Sequence, residues 1–243
     1  MKPWFSFMGL GCALVLLNPP TASAANTNSL VGTWETQWIG PGRDRAICYL
    51  TFGSNFTFTG YGISLKSLGP ITFASTWDVD SKDRIVSGFT ESRADGGVPV
   101  TLSVTVTGKK LRGRASAGLR NIRVKGDELT LPPNVNGSNW VGEIRARGNT
   151  SFQSYTFTAS TNSPGWFDIT GGGVGQGGAY TITGALVVTS DRNANGYLVS
   201  DFGTGTTTST WSFAGRFLPS LERATFRGHA DTGGDFLIRA TKQ

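Results

Sequence analysis

The sequence is poor in the residues that do most catalytic work. It has one histidine and two cysteines in 243 residues, and only 16% of its residues are charged. A lone histidine, His229, excludes the common paired-imidazole zinc sites, and no His/Cys/Asp cluster has zinc-ligand spacing. His229 alternates with Gly228 and Ala230, which puts it on a polar face with Arg227 and Asp231 as an exposed surface residue. No G-x-S-x-G is present to hold a nucleophilic serine on a strained turn. Carboxylates are few, among them Glu35, Glu91, Glu143, Glu222 and scattered aspartates. Glycoside hydrolysis needs two of them across a cleft, and nothing in their spacing sets up such a pair. The expectation is a non-enzyme with no catalytic residue, no metal ligand and no cofactor.

Long apolar runs are missing beyond the N-terminus. Residues 1–24 read as a signal peptide. Lys2 precedes an apolar run from Trp4 to Leu17, Asn18-Pro19-Pro20 breaks it, and Ala22-Ser23-Ala24 is an A-x-A cleavage site. The run is too short to span a bilayer, so cleavage after Ala24 and a secreted or periplasmic product without a transmembrane segment are expected. Cleavage would remove Cys12 and leave Cys48 as the only cysteine, so no intramolecular disulfide can form. Cys48 shares a strand face with Leu50 and Phe52, which predicts burial.

Sustained 3.6-residue periodicity is also missing. Residues alternate with period two almost throughout, the mark of half-buried strands. One face of the first half carries Leu30, Trp34 and Trp38, then Cys48, Leu50, Phe52, Phe56 and Phe58, then Phe73, Trp77 and Val79. The pattern continues through Ile85 and Phe89, Val100 to Val106, Leu111 and Ala115, and Ile122 and Val124. The second half repeats it. Leu30–Trp34 aligns with Trp140–Ile144, Leu50–Phe52 with Tyr155–Phe157, Phe56–Gly60 with Phe167–Gly171, Ile85–Phe89 with Leu198–Phe202, and Arg112–Ala115 with Arg227–Ala230. Five matches in one order indicate a duplication. The fold class is therefore all-β: two tandem homologous antiparallel units of about eight strands each, as up-and-down barrels or sandwiches. The expected boundaries are 25–131 for the first repeat, 132–139 for a linker opened by Pro132-Pro133, and 140–243 for the second repeat. Three local features read as turns. Asp78, Asp80 and Asp83 surround a hairpin turn, Gly171–Gly178 is a flexible turn despite its G-x-G-x-x-G-like spacing, and Arg216–Arg223 is an insertion with room for a single helical turn.

The opening Gly32-Thr33-Trp34, followed by about eight strands, resembles the start of lipocalin- and avidin-type (calycin-like) barrels. That resemblance implies that Trp34 closes one barrel end against a basic residue of a late strand, Arg120 or Arg123. The second repeat departs from it, with Gly142-Glu143-Ile144 in place of the motif. Trp34, Trp38, Trp77 and Trp211 point inward by phase. The first three either fill the barrel or line a pocket for an apolar ligand. Tyr61 and Trp166 fall on the outer face near strand ends, where an exposed aromatic stacks on sugar or anchors a partner. The formal charge of +6 is concentrated in Lys109, Lys110, Arg112, Arg114, Arg120, Arg123 and Lys125. These read as a solvated face that blocks edge pairing, or as a surface for anionic polysaccharide or the cell envelope. The chain thus reads as an exported non-catalytic β protein with a binding or structural role. An envelope component, a glycan or a small hydrophobic molecule is its expected partner, and nucleic acid is not. The alternatives are a lipocalin-like carrier and a polysaccharide-acting enzyme.

Overall fold

The computed structural model describes residues 29–42, 44–82, 84–92, 96–129, 133–148, 150, 153–175, 178–203 and 208–243. The expected leader lies outside the described residues, as do Asp83, Pro132, Gln176 and Gly177. The first unit contains β1 (Gly32–Ile39), β2 (Arg45–Phe52), β3 (Thr57–Ser64), β4 (Gly69–Thr76), β5 (Asp78–Val79), β6 (Ile85–Glu91), β7 (Val98–Thr107), β8 (Lys110–Ala117) and β9 (Arg120–Glu128). Its sheet runs β4-β3-β2-β1-β9-β8-β7-β6-β5. β4 and β5 are two arms of one strand bent at Trp77, so the unit has the expected eight strand positions. β4 returns beside β6 through a single bridge between Thr72 and Ser92. Side chains fasten the rest of that seam: Ser75 Oγ donates to the Gly88 carbonyl and Ser87 Oγ to the Thr76 carbonyl, each at 2.7 Å.

The second unit contains β10 (Gly137–Ala146), β11 (Gln153–Ser163), β12 (Trp166–Gly175), β13 (Gly178–Val188), β14 (Asn193–Asp201), β15 (Ser209–Phe217), β16 (Arg223–Ala230) and β17 (Asp235–Lys242). These eight close into a barrel in sequence order, with β10 pairing β17. The two units are tandem up-and-down barrels, and the period-two alternation places one face of each strand inside. β10 starts at Gly137, within the stretch expected to connect the repeats.

The structure revises three local expectations. Gly171, Gly172, Gly173 and Gly175 are not a turn but the C-terminal half of β12, paired with β11 and β13. Small residues are needed there because a Cβ on Gly171 would lie 2.1 Å from the Thr156 carbonyl oxygen. Arg216–Arg223 holds no helical turn. β15 runs on to Phe217, and Leu221 N donates to Leu218 O in a tight turn before β16. Finally, the second repeat does have its tryptophan. Trp140 sits at the start of β10, paired with Phe157 and Lys242, as Trp34 sits at the start of β1, paired with Leu50 and Glu128. A bulge between Gly137 and Trp140 adds a residue and hides the match in sequence.

Both interiors are packed with aromatic rings. Phe73 lies between Trp38, Phe58 and Phe89 at centroid distances of 6.1, 5.4 and 4.6 Å. In the second barrel Trp140 stacks on Phe157 at 5.7 Å, and Phe226 meets both Phe213 and Phe217. Cys48 is buried, as its position on β2 predicts.

The barrels join through their outer faces. Ile47 and Tyr49 of β2 and Ile63 of β3 pack against Ala185 and Val187 of β13, with Tyr61, Trp166 and Tyr197 at the margin. Among the described residues six hydrogen bonds cross the junction. Tyr49 OH donates to Val188 O (2.6 Å) and Tyr61 OH to Pro164 O (2.8 Å). Asn195 Nδ2 donates to Ile63 O and Ser212 Oγ to Leu65 O, both at 3.3 Å. Ser190 donates its backbone N–H (2.7 Å) and its hydroxyl to the Glu35 carboxylate. Gly165 makes the approach possible, since a Cβ there would lie 2.1 Å from the Tyr49 hydroxyl oxygen.

Candidate functional site

The five residues singled out in sequence do not form one site. Trp34, Trp38 and Trp77 belong to the first barrel's core, 1%, 6% and 4% exposed. Each indole N–H is satisfied internally: Trp34 donates to Leu30 O, Trp38 to Thr36 Oγ1 and Trp77 to Gly53 O. Tyr61 and Trp166 are not free outer aromatics. They meet edge-to-face at 6.2 Å within the barrel junction, and Tyr61 also stacks on Tyr49 at 5.6 Å. Burial pushes the Tyr61 phenol up to about 12 and raises that of Tyr49 further. Neither basic residue meets Trp34 as the calycin resemblance implies. Arg123 pairs with Ile39 at the far end of β1 and points outward, and Arg120 binds Asp44 at 3.4 Å.

The interiors are nearly full. The spaces inside the second barrel measure about 20 and 40 Å³, and one end of the first barrel holds about 20 Å³. A site for a drug-sized molecule needs roughly 300 Å³ or more. Asp44 and Glu91 both line the small void of the first barrel, which has no room for a sugar between them.

The open space lies outside the second barrel. A cleft of about 820 Å³ spreads over the outer surface of β10, β17, β16 and β15, and Leu65 from the β3–β4 turn of the first barrel forms part of its wall. The strand register fixes its side chains in two rows. Arg145, Leu237 and Arg227 lie side by side across β10, β17 and β16. The next row holds Arg147, Asp235, His229 and Ser212. Strands are spaced about 4.8 Å apart, so the Arg145 and Arg227 backbones flank Leu237 at a separation of about 10 Å. Asp235 is the hub of the second row, reaching Arg147 at 3.5 Å and His229 Nδ1 at 3.2 Å. His229 is therefore half-buried and paired rather than freely exposed. Arg227 is exposed and makes no ion pair with a described residue.

This arrangement offers guanidinium donors on both sides of an apolar strip, with a hydroxyl at the wall. It suits a molecule with an anionic group and a ring or chain beside it. Among the described residues that line the cleft, Asp235 is the only carboxylate. Among the described residues no group of three or more His, Cys, Asp or Glu can hold a metal ion. The cleft escapes sequence reading because its members come from four strands and a distant turn. The alternation of Arg227 with His229, and of Arg145 with Arg147, is the trace it leaves there.

No protein-family model matches the chain, and no curated protein matches it in sequence. Solved structures resemble it weakly. A redesigned β-barrel, mFAP1, bound to DFHBI is 14% identical, with a TM-score of 0.38, over 45% of this chain and 95% of that one. Transferrin binding protein B from serogroup B Neisseria meningitidis is 10% identical, with a TM-score of 0.28, over 82% of this chain and 58% of that one. The Burkholderia oklahomensis agglutinin is 11% identical, with a TM-score of 0.19, over 87% of this chain and 95% of that one. These scores are low, and the function is read from this chain's own geometry.

Proposed function

We propose that the chain is an exported, non-catalytic binding protein that holds an anionic glycan fragment in the external cleft of its second barrel. The observation that carries this reading is the contrast in volume. The cleft offers about 820 Å³ with Arg145, Arg147, Arg227 and His229 around it, while the barrel interiors offer about 20 to 40 Å³. Export is supported by the leader-like residues 1–24. Filled interiors leave the carrier reading without a cavity, and the enzyme reading has no pair of carboxylates among the described residues that line the cleft.

The test is calorimetric titration of the leaderless chain with uronate-bearing and sulfated oligosaccharides, beside their neutral counterparts. The charged sugars should bind and the neutral ones should not. Arg227→Ala should weaken binding about tenfold, since a charge-assisted hydrogen bond is worth roughly 1.5–3 kcal/mol. Equal affinity for charged and neutral sugars, or no effect of Arg227→Ala, would sink the reading. Saturable uptake of an apolar dye by the barrel would revive the carrier.

A further inference from the structure

The duplication carries the cleft's counterpart onto the first barrel. β8 and β9 occupy the places of β16 and β17, and with Trp34 matched to Trp140 the register sets Arg114 and Arg123 at the places of Arg227 and Leu237, and Arg112 and Lys125 at those of Thr225 and Arg239. On the first barrel all four positions are cationic. They stand as two directly opposed like-charge pairs, Arg112 with Lys125 and Arg114 with Arg123. Such pairs repel across strands and weaken the sheet. All four side chains are exposed, and none pairs with a described carboxylate. The acids within reach are already engaged: Asp127 by Lys110, Glu128 by Lys109 and Asp44 by Arg120.

Edge protection does not explain the grid. β8 is paired with β7 and β9, and β9 with β8 and β1, so neither strand is an edge. Solubility does not explain it either, because charges of mixed sign serve that purpose without opposed repulsion. Hydroxyl and amide groups surround the cations: Ser103 and Thr105 on β7, Ser116 and Asn121 farther along the hairpin, and Gln37 on β1. Gln37 also lines a groove of about 340 Å³ between the barrels, with Arg45, Asn193 and Asn195 among its other polar walls. The cationic face thus runs into a concave, amide-lined track.

We propose that this face docks an anionic polysaccharide, which crosses the Arg112/Arg114/Arg123/Lys125 grid and continues over Gln37 into the groove between the barrels. The cations meet carboxylates or sulfates along the polymer, and the hydroxyls and amides meet the sugar hydroxyls. This surface is separate from the cleft of the second barrel, and the proposal does not depend on that cleft's ligand. Leu119, at the β8–β9 turn, is fully exposed and would be the anchor if the partner were a bilayer, so vesicles form the competing arm.

The experiment uses the leaderless chain with polygalacturonate, dextran sulfate, neutral dextran and phosphatidylglycerol vesicles. The variant is Arg114→Glu with Lys125→Glu, which converts both like-charge pairs into opposite-charge pairs and cancels the charge of the grid. A control, Lys82→Glu with Arg223→Glu, changes net charge equally at exposed sites elsewhere. The wild type and control should bind both anionic polymers and not neutral dextran. The grid variant should lose about tenfold or more in polymer affinity with a thermal midpoint equal to or above that of the wild type. Retained polymer binding in the grid variant, equal loss in the control, absence of polymer binding, or grid-dependent binding to vesicles alone would each overturn the proposal. A loss of affinity at undiminished stability separates docking from a structural role.

Discussion

Trp34 and Trp140 are the same residue of the repeat in two different bonding states. Both are fully buried at the start of the first strand of their barrel. The Trp34 indole donates to Leu30 O at 2.8 Å, whereas Trp140 Nε1 is buried with no partner among the described residues. A bulge precedes Trp140, and the carbonyl four residues before it, Asn136 O, accepts instead from Lys242 Nζ at 2.7 Å. A made hydrogen bond contributes about 0.5–1.5 kcal/mol net, while burying an unpaired donor costs about 1–3 kcal/mol. Trp34→Phe and Trp140→Phe remove similar volumes, but only the first breaks a bond and strands a carbonyl. Trp34→Phe should therefore destabilise by about 1 kcal/mol or more beyond Trp140→Phe. Urea unfolding midpoints with matched slopes measure this, and equal losses would show that the two indoles are energetically alike.

At the scale of the element, alternation made most strands legible, because each strand with one wet face writes its pairing into every second residue. The same rule explains what was missed. Alternation alone places Tyr61 and Trp166 in solvent, because outward residues of an isolated barrel face water. The structure shows β2 buried on both faces from Ala46 to Leu50, and β13 likewise from Ala185 to Val188. The uninterrupted apolar runs Ala46-Ile47-Cys48-Tyr49-Leu50 and Ala185-Leu186-Val187-Val188 were the available signal, since strands covered on both sides lose their alternation. The glycines of β12 look like a turn in sequence for a related reason. Their lack of side chains is a packing requirement against β11 and β13, and composition alone does not separate that from a loop. The cleft was not legible at all, because its rows are set by cross-strand register, which sequence spacing does not contain. The cationic hairpin was legible as charge, but its opposed like-charge pairing appeared only once the register was known.

At the scale of the whole molecule, the junction between the barrels holds a partly buried acid, Glu35. Burial raises the Glu35 pKa above its ordinary value of 4.5, and the two hydrogen bonds from Ser190 only partly offset this. The folded state then holds the Glu35 proton to higher pH than the unfolded chain does. Its stabilising contribution is complete below about pH 4.5 and is lost as pH rises through the folded pKa. Glu35→Gln keeps both bonds, since its carbonyl oxygen accepts from Ser190 N and its amide donates to Ser190 Oγ, but it carries no charge. The variant should be more stable than the wild type at pH 8, with the gap closing as pH falls to about 4.5. A gap that is constant across this range would place the Glu35 proton outside the folding equilibrium. Comparing variant with wild type at each pH cancels the opposite trend from Asp80 and Asp231, whose pKa values are lowered.

The same junction predicts how the molecule unfolds. Ile63 is fully buried, yet it lies on the outer face of β3, against the second barrel rather than in the first barrel's core. Ile63→Asp places an unpaired carboxylate in that apolar contact while leaving both barrel interiors untouched. If the junction couples the barrels, the wild type should melt in one calorimetric transition whose van't Hoff and calorimetric enthalpies agree. The variant should melt in two, one for each barrel. The second barrel, closed by hydrogen bonds all round, should be the later of the two, because the first barrel's seam between β4 and β6 is held by one bridge and a pair of serine side chains. A single transition in the variant, merely shifted to lower temperature, would mean that the barrels are coupled by more than this contact.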